Sequence, residues 1–159
     1  MLNIRAATIA DAALIRQLIW ELADFEKEPD EVRTTEADIA RDGFGAHPLF
    51  SALVAEWDGQ PAGFALFFSH YSTWRGAGLY LEDLFVRPHF RGHGIGKALL
   101  ARVARAAVQE NRILIRWEVL NWNQPAIEFY KAVGADILDD WQSVFLIGES
   151  LHKLAEKAS

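Results

Sequence analysis

The tightest constraint on the fold is a change of hydrophobic period across one glycine-rich loop. Leu79 to Val86 is a β-rich run. After Arg91-Gly92-His93-Gly94-Ile95-Gly96, the residues Ile95, Leu99, Val103 and Ala106 fall on one helical face, and Lys97, Arg102, Arg105 and Gln109 on the other. A strand therefore gives way to an amphipathic helix within a few residues, a place where backbone amides converge on an anion. Glycines let the main chain approach a ligand closely, and the helix start adds partial positive charge. The loop reads as a phosphate cradle, although a glycine-rich turn without a ligand satisfies the same pattern. Two phosphate-binding motifs fail on residue type. A dinucleotide fingerprint needs G-x-G-x-x-G, and here the third glycine comes one residue early. A P-loop needs G-x-x-x-x-G-K-[ST], but Arg91 replaces the first glycine and Ala98 the hydroxyl.

The rest of the chain supplies elements for a sheet and its covering helices. Asn3 to Ala7 reads as a short strand. Thr8-x-x-Asp11 is a capping box opening a helix whose apolar residues Leu14, Ile15, Leu18, Ile19 and Leu22 mark one buried face, up to about Phe25. Glu26 to Glu31 reads as a loop, and a second box, Thr35-x-x-Asp38, starts a shorter helix ending at Gly43. Leu49 to Trp57 and Pro61 to His70 form a hairpin around Asp58-Gly59-Gln60. Ile113 to Leu120 is predicted as a strand, Asn123 as the cap of a helix with Pro125 in its first turn, and Gly134 as its C-terminal glycine. Ser143 to Ile147 reads as a last strand and Glu149 to Lys157 as a terminal helix. With no internal repeat or linker in 159 residues, the pattern predicts one domain over 1–159. Its fold class is α/β (α+β), with a central mixed, mostly antiparallel sheet flanked by helices.

Composition narrows the function classes. Hydrophobic residues make up 51% and charged ones 24%, a globular mixture. With a net charge of −6 and scattered Lys and Arg, nucleic acid is not an expected partner. No apolar run approaches the roughly 20 residues that span a bilayer, and Met1 to Ala10 lacks a signal peptide's pattern, so a cytoplasmic protein without a membrane partner is expected. The absence of cysteine removes disulfides, thiolate metal ligation and a thiol nucleophile. His47, His70, His89, His93 and His152 form no metal-ligand spacing, so no metal is expected.

Arg91-x-x-Gly94-x-Gly96 resembles the R/Q-x-x-G-x-G/A pyrophosphate loop of the GNAT family of N-acetyltransferases. The likeness runs in order along nearly the whole chain, through Glu21-Leu22-Ala23-Asp24-Phe25-Glu26-Lys27, Asp42-Gly43-Phe44-Gly45, Tyr71-Ser72-Thr73-Trp74, Tyr80-Leu81-Glu82-Asp83, Asn121-Trp122-Asn123-Gln124 and Phe129-Tyr130-Lys131. These segments resemble the diamine acetyltransferase branch, and more closely its thialysine-acting relatives than its spermidine/spermine enzymes. The resemblance implies acetyl-CoA as cosubstrate, a small primary amine as acceptor, direct transfer in a ternary complex and a homodimer. It implies a pantetheine arm paired with the main chain of Leu84, Phe85 and Val86, the same move as strand addition. The diphosphate then lies on the amides of Gly92, His93, Gly94, Ile95, Gly96 and Lys97 beside Arg91. Asn123, Gln124, Pro125 and Ala126 match a second coenzyme-contacting segment.

Tyr130 matches the family's catalytic tyrosine, and a phenol near pKa 10 can protonate a thiolate whose thiol has a pKa near 8.5. An aromatic core residue at helical spacing from Ala126 and Val133 fits the same position. Glu82 alternates with Tyr80 and Leu84 and is expected to share their face. The resemblance makes it the substrate-amine contact, positioning an ammonium ion first and relaying its proton second. A solvent-facing or salt-bridged strand residue is the other reading. By family position Phe25 and Glu26, then Arg116, Trp117 and Glu118, and then Asp139 or Asp140 (Asp140 by preference) contact the acceptor, though solvated surface acids would look alike. A non-catalytic acetyl-CoA sensor is one alternative function, against which Tyr130 and Glu82 speak. Another is acetylation of a protein N-terminus or lysine, which favours an open groove over a small acidic pocket.

Overall fold

A computed structural model describes residues 1–158. The chain forms two compact units, the first from Met1 to Glu118 and the second from Val119 onward. The first holds a five-stranded sheet in the order β1-β2-β3-β4-β5, formed by β1 (Leu2–Ala6), β2 (Ser51–Trp57), β3 (Gln60–Ser72), β4 (Gly76–Val86) and β5 (Ile115–Arg116). The first three pairings are antiparallel and β4 with β5 is parallel, the expected mixed, mostly antiparallel sheet.

Helices α1 (Ala12–Phe25), α2 (Glu36–Phe44) and α3 (Ile95–Gln109) complete this unit. At the entrance to α1 the Thr8 amide donates to Asp11 Oδ2 at 2.8 Å, and Arg5 grips both oxygens of the same carboxylate at 2.8 Å. Thr35 and Asp38 form the second box, and α2 runs one residue beyond Gly43, to Phe44. Ile15 and Leu18 are fully buried against Phe64, Leu66, Phe85 and Ile39, each large side chain contributing about 1.5–3 kcal/mol through burial. Leu14, Ile19 and Leu22 pack partly buried around that cluster. In α3 the predicted apolar stripe is inside, with Ile95, Leu99 and Val103 at 0–1% exposure. Trp57 pairs with Gln60 across a two-residue turn whose Asp58 and Gly59 both have positive φ, +50° and +79°, the twist a tight hairpin needs.

Two expected strands are corrected. Only Ile115–Arg116 of the segment Ile113 to Leu120 forms a regular strand, pairing with Leu79 and Tyr80. The β4 edge from Leu81 to Val86 is therefore left without a strand on that side among the described residues. Ser143 to Ile147 forms no strand, since a strand needs an edge to pair with, and Val144 and Phe145 are 89% and 84% exposed. The second unit holds α4 (Gln124–Ala132) and α5 (Gly148–Ala155). Asn123 caps α4 through its side chain to the Ala126 amide, with Pro125 in the first turn. Gly134 closes it at φ +90°, its amide bonded to the Lys131 carbonyl at 3.0 Å.

Candidate active site

The glycine loop has the geometry of an anion cradle. Gly92 and Gly94 take left-handed φ values of +83° and +74°, and Gly94 is the N-cap residue immediately before α3. The first intrahelical amide bond is Ala98 to the Gly94 carbonyl, so the amides of Ile95, Gly96 and Lys97 have no intrahelical acceptor. A Cβ built on Gly92 or Gly94 would meet nothing within 4 Å, so these two residues face open space. This donor set suits a diphosphate, and the β4 edge at Leu84, Phe85 and Val86, which pairs with no further strand among the described residues, suits an amide-bearing arm, although the Val86 carbonyl is taken by Arg91. Together they fit acetyl-CoA. The Arg91 side chain turns back into the protein. Its Nε donates to the Val86 carbonyl at 2.9 Å, and its guanidinium lies 4.7 Å from the centre of the Phe25 ring. Beside it Arg87 clamps Glu21 of α1 with two bonds of 2.8 Å and donates to the Pro61 carbonyl. The end of α1 is thus tied to the loop by two arginines.

Farther along β4 the strand carries a bulge. Phe67 pairs with Leu81 and Leu66 with Asp83, so Glu82 is the extra residue. This corrects the expected alternation. Asp83 continues the face of Tyr80, toward Leu66, Phe85 and the α1 side, while Glu82 is exposed. The chemical consequence is large. Desolvation first, then the charges of Glu82 and Glu26, push the Asp83 carboxyl up to about 7. Glu82 is raised by partial desolvation and by Glu118, and Glu26, the residue capping the end of α1, by desolvation. Tyr80 hydrogen-bonds to Glu118, and its phenol is raised by desolvation and by the Glu118 and Glu82 charges.

Asp83 therefore feels Glu82 and Glu26, and Glu82 feels Glu118, so acids from the end of α1, from β4 and from the segment after β5 make an anionic environment that suits a cation. Glu26, Glu82 and Glu118 are sequence-predicted members. Asp83 is an addition that strand alternation misses, because alternation from Tyr80 gives that face to Glu82 and only the bulge passes it to Asp83. Phe25 borders the loop through Arg91, while Arg116 is exposed and Trp117 half-buried. In the second unit Tyr130 is buried to 8% exposure, its ring 5.3 Å from that of Phe129. Gln124 and Pro125 are exposed at the start of α4, and Asp139 and Asp140 lie exposed in a turn. Among the described residues no helix is long and apolar enough to cross a membrane, and no group of three or more His, Asp or Glu is arranged to hold a metal ion.

Comparison with known proteins bears on these features. The profile of the acetyltransferase (GNAT) family matches residues 13–135. The thialysine N-epsilon-acetyltransferase of Bos taurus is 39% identical over 97% of each chain. An integron cassette protein from the mobile metagenome of V. cholerae superposes with a TM-score of 0.80 at 25% identity, over 98% of each chain. An aminoglycoside N-acetyltransferase solved in complex with CoA superposes with a TM-score of 0.72 at 20% identity, over 94% of this chain and 95% of that one.

Proposed function

The chain belongs to the acetyltransferase (GNAT) family, and from that premise we propose that it moves the acetyl group of acetyl-CoA directly to a small primary amine in a ternary complex. The observation that carries the acceptor class is the gathering of Glu26, Glu82 and Asp83, whose carboxyls are raised by desolvation and by neighbouring acids, with Glu118 beside Glu82, an anionic environment that a cationic amine would relieve. We place the whole of 1–159 in one functional domain, in the cytoplasm.

Bound along the loop and the β4 edge, acetyl-CoA supplies a thioester-activated acetyl group. The amides from Gly92 to Lys97 hold its diphosphate, with Arg91 fixing the loop from behind. Leu84, Phe85 and Val86 pair with its arm, and Asn123 to Ala126 contact it from the start of α4. The carboxylates of Glu26, Glu82 and Glu118 draw in the ammonium group and orient it, and Arg116, Trp117 and Asp140 are assigned to the acceptor by family position. Asp83 then has the basicity that an ordinary carboxylate lacks, and with Glu82 it accepts the proton the amine must lose. Tyr130 gives its phenolic proton to the departing thiolate sulfur.

Phe25 bears on acceptor length. A phenyl ring neither donates nor accepts a hydrogen bond, so this wall provides no polar contact for a distant amine of a long polyamine. Thialysine, lysine-like amines or short diamines are the acceptors this arrangement favours, in keeping with the activity named for the bovine relative. A side-by-side series of kcat/KM for thialysine, lysine, putrescine, spermidine and spermine tests it. Spermine is expected below the short amines, and Glu82→Gln is expected to weaken all of them. Spermine ranking first by about tenfold, about 1.4 kcal/mol of transition-state preference, would overturn the assignment.

A further inference from the structure

We propose that His93 is a positioning residue for the coenzyme diphosphate, and that Trp57 anchors it to the sheet. The inference rests on the reading of Arg91 to Lys97 as the coenzyme cradle. His93 lies between the two left-handed glycines Gly92 and Gly94, the most freely rotating stretch of the loop. Its Nδ1 is 3.1 Å from the Phe90 carbonyl oxygen and 3.0 Å from that of Arg91. Both oxygens can only accept, so Nδ1 carries the proton and donates to the two together. Its ring packs on Trp57, the last residue of β2, with centroids 4.8 Å apart and planes tilted by 51°.

The effect on the cradle follows from the planarity of the peptide. The C=O and N–H of one peptide unit point in opposite directions. Holding the Arg91 carbonyl on His93 therefore turns the Gly92 amide to the other side, where a phosphate oxygen can take it. A loop with glycines on both sides of His93 would otherwise order only on binding, at the expense of affinity. In this protein a ring fixed by a β-sheet tryptophan orders it beforehand. The loop signature specifies no residue type at this position, so the device is not part of that signature.

Calorimetry with CoA, together with steady-state kinetics using acetyl-CoA and acetyl-pantetheine, which carries the thioester without a diphosphate, provides the test. His93→Ala should weaken CoA about tenfold, the scale of a lost hydrogen bond and its ordering. The loss should fall on KM for acetyl-CoA rather than on kcat, and kcat/KM for acetyl-pantetheine should fall far less. His93→Asn, whose side-chain amide can donate to the same carbonyls, should regain part of the affinity. A folded His93→Ala protein binding CoA within twofold of wild type, while Gly94→Val has lost binding, would overturn the inference and leave the cradle standing. Equal losses with acetyl-CoA and acetyl-pantetheine would overturn it too. If Gly94→Val binds CoA as well as wild type, the cradle reading itself fails.

Discussion

A carboxylic acid with a pKa near 4 is a poor acceptor for the proton of an amine, and the bulge at Glu82 is what gives β4 a better one. It places Asp83 on the Tyr80 face beside Leu66 and Phe85, where desolvation and two neighbouring acids raise it to about 7. The sign for stability is unfavourable. An acid whose folded pKa lies above its ordinary value disfavours the fold when it ionises, so this group removes stability as pH rises from about 4 through 7. Asp83→Asn should accordingly stabilise the protein at pH 8, by roughly 1–3 kcal/mol in urea unfolding, and the gain should vanish near pH 4. The same substitution should flatten the acid limb of kcat/KM, which in the wild type should have an apparent pKa near 7. Asp11 is the opposite case. Held at about 2 by its bonds to Arg5, it contributes stability above the usual carboxylate range that is lost as pH falls toward 2. Tyr130→Phe keeps the buried ring and removes only the acid, so kcat should fall about 10²–10⁴-fold with little change in CoA affinity. Near-normal kcat under conditions where chemistry limits the rate would remove Tyr130 from the mechanism.

Among elements, those whose determinants lie within a few residues were legible in the sequence. The Thr8 and Thr35 boxes, the Asp58-Gly59 turn, the stripe of α3 and the Asn123 and Gly134 caps each depend on local chemistry, and each is found where its spacing puts it. The glycine loop was legible for the same reason, since Gly92 and Gly94 take the left-handed backbone angles that favour glycine. A valine at Gly94 should therefore both strain the start of α3 and crowd the approach to its amides, and CoA affinity measured by calorimetry should drop sharply in the folded variant. The bulge was not legible, because a register slip depends on the partner strand, and reading β4 alone gave Glu82 the face that Asp83 occupies. β5 was overestimated on the same ground: its apolar pattern continues to Leu120, but its ladder stops at Arg116. What ends the ladder also leaves the β4 edge open, so the least legible feature is the one on which the proposed place of the coenzyme arm depends.

At the scale of the whole molecule, the segment after α4 leaves apolar surface uncovered. Trp141, Val144, Phe145 and Ile147 are 62%, 89%, 84% and 64% exposed. So many large apolar side chains in seven residues exceed the scattered exposure of an ordinary surface and mark an interaction site. The segment also carries a β-forming run, Ser143 to Ile147, with no ladder of its own. Apolar and outside every β-ladder among the described residues, it suits addition to a partner's sheet, and a two-fold arrangement is the commonest way for identical chains to satisfy such a segment on both copies. We therefore expect a homodimer. Light scattering at micromolar concentration should give twice 17.9 kDa, and replacing Val144 and Phe145 together with aspartate should shift the protein toward the single-chain mass while far-ultraviolet circular dichroism stays unchanged. A wild-type mass near 17.9 kDa would rule the dimer out.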